Sequence, residues 1–307
     1  MSLLAMIKGR RGPNGFGFAS TAEDVTAGLD LSAKTVLITG VTSGLGREAA
    51  RVLAARGAHV IGTGRSAETT RGVLARFGAN VAAVACELSD PSSVRQAGRD
   101  VAALGRPLDM VIFNAGILGL PKLQQKFGYE LQFFTNHMGH FMLMQGLMPT
   151  LAADARVAVL SSEAHRGAPR GGIRFDNLSG DRGYSPWGAY SQSKMANLLF
   201  AKELARRFEG SGRTANSLHP GVIVTNIARH LNPATRVAFG ISSVIFCKTI
   251  EQGAATECFV AAHPAAAGVN GQYFDNCAVA APRADGSDAA TARRLWEVSE
   301  EIAARFP

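Results

Sequence analysis

The strongest constraint on the fold is the run from Lys34 to Gly46, Lys-Thr-Val-Leu-Ile-Thr-Gly-Val-Thr-Ser-Gly-Leu-Gly. Its first part, Thr35 to Thr39, is apolar and rich in β-branched residues, which indicates a buried parallel strand. Three glycines then supply a turn without side chains, and the residues from Leu45 to Arg56 have helical character. A strand, a glycine turn and a helix in this order bring free N–H groups and the positive helix end onto a pyrophosphate. The run therefore predicts dinucleotide binding.

The spacing of these glycines, Thr-Gly-x-x-x-Gly-x-Gly, resembles that of the short-chain dehydrogenase/reductase family. It differs from the Thr-Gly-x-x-Gly-x-x-Gly of the sugar-nucleotide epimerases, which disfavours that class. Asn114-Ala115-Gly116, a strand-end Ser162 and Tyr190-x-x-x-Lys194 follow in the family's order. A Tyr-x-x-x-Lys match often arises by chance, whereas all these motifs in this order are specific to the family.

Three further strings narrow the resemblance to one branch of the family. They are Asn-His-Met-Gly-His-Phe, Ser-Lys-Met-Ala-Asn-Leu-Leu-Phe and His-Pro-Gly. Together they are similar to the branch that contains the retinol dehydrogenases and the WW-domain oxidoreductases.

The resemblance covers roughly Leu31 to Asn276 and implies an α/β fold, a single Rossmann-type doubly wound parallel sheet of about seven strands with helices on both faces. Strands are predicted at Thr35–Thr39, His59–Thr63, Val81–Ala85, Asp109–Phe113, Arg156–Ser161, Thr214–Leu218 and Gly271–Asp275. Helices are predicted at Leu45–Arg56, Pro91–Leu104, Gln124–Leu151, Tyr190–Glu209, Thr249–His263 and Asp288–Phe306. No linker or internal repeat divides the chain.

We expect one catalytic domain over residues 31–307, preceded by an arm of residues 1–30 that is loosely held at least up to Phe16. Ser20 to Asp24 could cap a short helix before the first strand. An apolar segment at residues 226–248 resembles a mobile lid over the substrate, and a helix buried in a subunit interface is the competing interpretation.

Composition excludes several other classes of protein. With 307 residues, of which 47% are apolar and 18% charged, the chain can bury one substantial core. The net charge of +8 comes from scattered basic residues, so no nucleic-acid partner is expected. No apolar run approaches the roughly 20 residues of a membrane span. Four cysteines without a Cys-x-x-Cys pair predict reduced thiols in a cytoplasmic protein and no metal site.

The end of the second predicted strand bears on the choice of cofactor. NAD-binding proteins of this fold carry an acidic residue there, which accepts hydrogen bonds from the ribose. This chain has no acid between Gly62 and Ser66 and has Arg65 instead, whose guanidinium can pair with the 2′-phosphate of NADP. NADP(H) is therefore favoured over NAD(H). The alternative is that Arg65 is only a solvated loop residue.

The resemblance also implies the catalytic group. Tyr190 would be the general acid in reduction and the general base in oxidation, and Ser162 would orient the substrate oxygen. Lys194 would lower the pKa of Tyr190 together with the oxidised nicotinamide, and would hold the ribose. Asn136 would anchor a water of the proton relay. His137 and His140 are expected to pack or form hydrogen bonds rather than bind a metal.

The remaining site residues follow from motif positions. Cofactor binding is assigned to Gly40, Thr42, Ser43, Gly44, Leu45 and Gly46, to Arg65, to Glu87 and Leu88, to Asn114, Ala115 and Gly116, to Tyr190 and Lys194, and to Pro220, Gly221 and Thr225. Relatives carry Asp-Leu at Glu87-Leu88, so whether Glu87 contacts the adenine stays open.

The sequence thus predicts an NADP(H)-dependent oxidoreductase that interconverts an alcohol and a ketone or aldehyde on a fairly apolar small molecule. The alternatives are an NAD-dependent dehydrogenase of the same family and a non-catalytic NADP(H)-sensing protein, whose usual sign is the loss of the tyrosine or lysine. Family members are commonly dimers or tetramers, often through the helices that hold Asn136 and Tyr190, so a homodimer or homotetramer is expected.

Overall fold

The central sheet of the computed structural model has eight strands within the described residues, which are residue 9, residues 11–223 and residues 247–307. The strands are β1 (Thr35–Thr39), β2 (His59–Gly64), β3 (Val81–Ala85), β4 (Leu108–Phe113), β7 (Leu151–Leu160), β8 (Thr214–His219), β9 (Tyr273–Asp275) and β10 (Ala278–Ala280). Two short strands, β5 (Gln125–Lys126) and β6 (Tyr129–Glu130), pair separately as a hairpin.

The sheet has the order β3-β2-β1-β4-β7-β8-β9-β10, and all its neighbours are parallel except β9 and β10. The order reverses between β1 and β4. In open parallel sheets, ligands bind outside the carboxyl ends of the strands at such a reversal. The predicted doubly wound α/β fold is confirmed, and the crevice beyond β1 and β4 is where the chemistry is expected.

Helices lie on both faces of the sheet. They are α1 (Ala22–Thr26), α2 (Gly44–Ala55), α3 (Ala67–Leu74), α4 (Pro91–Ala103), α5 (Leu131–Phe133), α6 (Gly139–Leu147), α7 (Pro186–Arg207), α8 (Ile250–Ala262) and α9 (Ala289–Ala303). A π-helical turn, Phe134–Met138, joins α5 to α6. Successive residues of a strand point to opposite faces. In β1, Leu37 accordingly packs in the cluster with α4, α6, α7 and α9, whereas Val36 and Ile38 pack with α1, α2 and α8.

The eighth strand, β10, was not predicted. It pairs antiparallel with β9 through a two-residue turn in which Asn276 and Cys277 have φ of 49° and 62°. Two left-handed residues are what such a hairpin requires, and glycine or asparagine usually supplies them. Because cysteine occupies the second position of the turn, the sequence lacks the glycine that usually predicts such a hairpin.

The prediction of one helix over Gln124–Leu151 is wrong at its start. The chain first forms the β5–β6 hairpin, which turns at Phe127 and Gly128 with φ of 53° and 81°. Helix α5 begins only after Glu130, whose carboxylate accepts a hydrogen bond from the Phe133 N–H at 2.8 Å. A phenylalanine in the left-handed region is uncommon, so the sequence gives little sign of this turn.

The described part of the arm, residues 11–16, forms some contacts with the rest of the chain, and its being loosely held stays a prediction. Gly12 N–H donates to the Phe16 carbonyl at 2.6 Å, and the Asn14 amide donates to the Cys277 carbonyl at 3.1 Å. The Phe16 ring packs edge-on against Phe259, with ring centroids 5.9 Å apart. The expected helix cap is confirmed, because Thr21 and Asp24 form a capping box at the start of α1. The predicted lid lies outside the described residues except for Cys247 and Lys248.

Candidate active site

The glycine turn joins the buried strand β1 to α2, as predicted. Gly40 has φ of 76° and Gly44 has φ of 62°, a conformation that side chains disfavour. A Cβ at Gly40 would lie 2.9 Å from Ala115 Cβ, and a Cβ at Gly46 would overlap the Asn114 amide. The turn and the Asn-Ala-Gly segment therefore approach each other more closely than any other residue type would allow.

Asn114 and Thr39 connect these two segments. The Asn114 side-chain amide donates to the Thr39 carbonyl at 2.8 Å. In return, the Thr39 hydroxyl accepts hydrogen bonds from the N–H groups of Asn114 and Ala115 at 3.0 and 3.1 Å. Helix α2 starts at Gly44, and the Ser43 side chain does not cap it within the described part of the chain. The first N–H groups of α2 are thus open to an anion.

The predicted ribose side of the site lies at the ends of β2 and β3. A Cβ at Gly64 would lie 3.1 Å from Thr42 Cγ2, so the end of β2 adjoins the glycine turn. Arg65 follows it and is exposed, with no hydrogen bond or ion pair among the described residues. The Glu87 carboxylate accepts hydrogen bonds from the N–H and hydroxyl of Ser89 at 3.0 and 2.9 Å, so it is engaged within its own turn. Leu88 is buried against Gly139.

Ser162 and Tyr190 meet at the carboxyl end of β7. Ser162 lies two residues beyond the strand and begins a short 3-10 helix, whose Ala164 N–H donates to its hydroxyl at 3.2 Å. The Tyr190 phenol, on the first turns of α7, lies close enough to the Ser162 hydroxyl for that group to lower its pKa. Lys194 is one turn further along α7 and buried, and its ammonium lies 5.8 Å from the centre of the Tyr190 ring.

Burial governs the pKa values of Tyr190 and Lys194. Burial raises the pKa of Tyr190 to about 12, and the nearby Ser162 hydroxyl opposes that shift. Burial lowers the pKa of Lys194 to about 8. Burial disfavours the phenolate, and the Lys194 ammonium donates a hydrogen bond to the Leu160 carbonyl at 2.9 Å. The lowering of the Tyr190 pKa by Lys194 together with an oxidised nicotinamide stays a prediction.

Asn136 is buried in the π-helical turn beside this group. Its Oδ1 accepts a hydrogen bond from the Ile117 N–H at 2.8 Å, and its amide donates to the Ile117 carbonyl and to Ser193 Oγ, each at 2.9 Å. Ser193 Oγ in turn donates to the Tyr190 carbonyl at 2.7 Å. The Asn136 side chain thus holds the segment after Gly116 and the first turns of α7 in place.

The last predicted site residues follow β8. Pro220 is buried, and Gly221 has φ of 96°. A Cβ at Gly221 would lie 2.6 Å from Lys248 Cδ, so only glycine lets this lysine cross the turn. Thr225 lies outside the described residues.

Comparison with known proteins identifies the family. The family model described as short chain dehydrogenase matches residues 34–236. The chain belongs to the short-chain dehydrogenase family. All the predicted site residues, from Gly40 to Thr225, lie within the matched region.

Curated relatives lie in the predicted branch and beyond it. The chain is 40% identical over 321 residues to short-chain dehydrogenase TIC 32 B, chloroplastic, of Brassica napus, with all of both chains covered. Retinol dehydrogenase 14 of Homo sapiens is 38% identical, with 87% of this chain and 85% of the relative covered. WW domain-containing oxidoreductase of Homo sapiens is 37% identical, with 92% and 71% covered. The resemblance to the retinol dehydrogenase and WW-domain oxidoreductase branch is confirmed.

Solved structures support the fold assignment. A crystal structure of an uncharacterized protein from Mycobacterium paratuberculosis superposes with a TM-score of 0.75 at 32% sequence identity. The match covers 92% of this short-chain dehydrogenase and 98% of that protein.

Sequence reasoning missed two groups that hold the site together. Thr39 was placed in the strand without a role, although its hydroxyl accepts two N–H groups of the Asn-Ala-Gly segment. His165 was not singled out, yet its Nδ1 lies 2.7 Å from the Ser162 carbonyl and its Nε2 accepts from the Arg283 N–H at 3.0 Å. The short spacing from Ser162 to His165 was the available signal. His140 forms hydrogen bonds, as predicted, and no metal-binding cluster occurs among the described residues.

One face of the helices that follow Asn136 and hold Tyr190 packs within the chain, and the predicted subunit contact through these helices stays a prediction. Helix α9 covers that face within the chain itself. Trp296 of α9 stacks on Phe200 of α7 with ring centroids 5.9 Å apart and packs edge-on against Phe141 of α6 at 5.0 Å. The Ser299 hydroxyl lies 2.8 Å from His137 Nε2. This face of α6 and α7 is therefore packed against α9 of the same chain.

Among the helices that the structure describes, none has the length and apolar character needed to cross a membrane.

Proposed function

We propose that this short-chain dehydrogenase is an NADP(H)-dependent oxidoreductase that interconverts an alcohol and a ketone or aldehyde on a fairly apolar small molecule. The observation that carries the proposal is that Tyr190 lies near Ser162 and near buried Lys194, whose ammonium is 5.8 Å from the centre of the Tyr190 ring. The group lies at the carboxyl edge of the sheet, where the glycine turn after β1 also opens.

The shape of the glycine turn supports a dinucleotide. The positions of Gly40 and Gly46 leave no room for a Cβ, so the backbone of the glycine turn packs directly against Asn114 and Ala115. The open N–H groups at the start of α2 suit a pyrophosphate. The nicotinamide, when bound, would supply or accept the hydride. Residues of the chain would do the remaining work, which is binding, orientation and proton transfer.

The proton chemistry follows from the pKa values of the group. Because the pKa of Tyr190 is about 12, its phenol is protonated at neutral pH and can donate a proton to a carbonyl oxygen during reduction. Ser162 would donate a hydrogen bond to the same oxygen, where negative charge develops. Oxidation requires the tyrosinate, which the positive charge of Lys194 would favour. The protonated phenol thus serves reduction, and the tyrosinate serves oxidation.

Two features support the choice of cofactor and substrate. Arg65 presents an exposed guanidinium, unpaired within the described residues, at the end of β2, where a 2′-phosphate would lie. Trp187, 45% exposed, lies beside Tyr190 with ring centroids 6.2 Å apart. An exposed tryptophan next to the reacting phenol favours an apolar substrate. One relative carries retinol in its name, which agrees with that class of substrate.

Consumption of NADPH and of NADH with a panel of aryl ketones, aliphatic aldehydes and small polar ketones tests the proposal. We expect turnover with NADPH on the apolar members. Turnover with NADH alone would support the NAD-dependent alternative, and binding of NADPH without turnover on any member would support the sensing protein. A cytoplasmic location and a homo-oligomer stay predictions, and the Brassica napus relative is chloroplastic by name.

A further inference from the structure

His140 lies between the dinucleotide turn and the catalytic helix and is completely buried. Its Nε2 lies 2.9 Å from the Thr39 hydroxyl, and its Nδ1 lies 2.9 Å from the Asn136 carbonyl. Its ring also packs on Phe113 at the end of β4, with ring centroids 4.8 Å apart. The imidazole thus bridges β1, β4 and the π-helical turn.

The directions of the two hydrogen bonds follow from counting donors and acceptors. The Thr39 oxygen already accepts from the N–H groups of Asn114 and Ala115, which uses both of its lone pairs. Its proton is therefore free to donate, and His140 Nε2 is the acceptor. The ring proton must then be on Nδ1, where it donates to the Asn136 carbonyl. This arrangement is neutral imidazole in one tautomer.

Burial agrees with this assignment. Burial lowers the pKa of His140 to about 3, and the buried Lys194 ammonium acts in the same direction. The ring therefore stays neutral at any working pH. A neutral, fully buried histidine whose two nitrogens are both used does not exchange protons with a substrate, so its role is to hold other groups in place.

We infer that His140 is a positioning residue that couples the dinucleotide turn to the catalytic helix. On one side it orients the Thr39 hydroxyl, which holds Asn114 and Ala115 against Gly40. On the other side it holds Asn136, which reaches the Tyr190 carbonyl through Ser193. The inference rests on the proposed function, because it assigns to His140 an effect on dinucleotide affinity and on turnover.

The test is a titration of NADPH fluorescence with the His140→Phe variant. Phenylalanine keeps the ring on Phe113 but leaves the Thr39 proton without an acceptor and the Asn136 carbonyl without its donor. We expect the Kd for NADPH to rise about tenfold or more, and kcat to fall as well. His137→Phe is the matched control, because His137 is equally buried but faces Ser299 of α9. It should lower the Tm without changing the Kd for NADPH.

A second pair of variants covers the case in which His140→Phe does not fold. Thr39→Val removes the hydroxyl and keeps the shape, so it should raise the Kd for NADPH as His140→Phe does. Thr39→Ser keeps the hydroxyl and should restore the affinity. The inference is overturned if wild type binds NADPH and Thr39→Val binds it equally well, or if His140→Phe matches His137→Phe in Kd and kcat. If wild type does not bind NADPH at all, the proposed function fails instead.

Discussion

The Lys194 ammonium lies 2.9 Å from the carbonyl oxygen of Leu160, the last residue of β7. Asn197 donates to the same carbonyl at 3.0 Å, and the Ser161 hydroxyl donates back to the Lys194 carbonyl at 2.7 Å. These three bonds join α7 to the end of the strand that precedes Ser162. The lysine therefore helps to set the distance between Ser162 and Tyr190, in addition to its charge.

Replacing Lys194 with methionine tests its charge. We expect Lys194→Met to lower kcat for carbonyl reduction on the order of 10²-fold, because no positive charge then balances the forming tyrosinate. In wild type the rate of reduction should fall as pH rises through about 8, where Lys194 loses its proton. The variant should lack that fall. Lys202→Met, two turns further along α7, is the control and should keep the wild-type profile. The same fall near pH 8 in Lys194→Met would assign it to another group.

Arg65 determines the preference for NADPH in this account. A charge-assisted pair with a 2′-phosphate is worth on the order of 1.5–3 kcal/mol, so Arg65→Ala should weaken NADPH binding by more than about tenfold. The affinity for NADH should not change. Fluorescence titration of both cofactors measures the effect, with Arg71→Ala on the exposed side of α3 as the control. Equal NADPH binding by wild type and Arg65→Ala would remove the basis for the NADP preference.

Trp187 should contribute to binding of apolar substrates. Trp187→Ala should raise KM for an aryl ketone by about 2- to 10-fold, the equivalent of ~0.5–1.5 kcal/mol of aromatic contact, and leave KM for acetone nearly unchanged. Trp187→Phe should recover most of the loss. The chain has two tryptophans and Trp296 is 8% exposed, so quenching by substrate should report on Trp187. An equal rise of KM for both ketones would argue against an apolar contact here.

Glu257 makes stability depend on pH. It is fully buried in α8, its oxygens have no hydrogen-bond partner within the described residues, and burial raises its pKa from 4.5 to about 8. The unfolded chain loses this proton near pH 4.5, whereas the folded chain keeps it up to about pH 8. The free energy of unfolding should therefore fall as pH rises through this window.

The variant Glu257→Gln, which cannot ionise, should not show that fall. Relative to wild type it should gain on the order of a few kcal/mol between pH 5 and pH 8. Thermal unfolding at both pH values measures the difference. A constant difference between the two proteins across the window would show that Glu257 ionises as readily in the folded chain as in the unfolded one.

The sheet could be predicted because most of its strands are apolar runs bounded by turn residues. The run from Thr35 to Thr39 and the run from Val81 to Ala85 are strands with the predicted bounds. Glycine spacing and strand ends then placed Ser162 and Tyr190 near each other. The elements that the sequence did not reveal depend on unusual conformations. Phe127 and Cys277 both adopt positive φ, which these residue types rarely do. The sequence therefore does not predict the turns in which they lie.

The hydrogen bonds of the site could not be predicted either, because they depend on which groups packing brings together. The sequence does not show that the Asn136 side chain forms hydrogen bonds with Ile117 and Ser193. It also does not show that Lys194 donates a hydrogen bond to the Leu160 carbonyl. The contact of Trp296 with Phe200 joins residues almost a hundred positions apart. The packing of α9 on α7 could therefore not be predicted from local sequence patterns.

The most direct test of the central claim compares wild type with Tyr190→Phe in NADPH binding and in NADPH consumption on an apolar carbonyl. The account predicts that Tyr190→Phe binds NADPH like wild type and loses turnover by on the order of 10²–10⁴-fold, because phenylalanine has no proton to donate. Turnover by Tyr190→Phe at the wild-type rate would contradict the assignment of Tyr190 as the general acid.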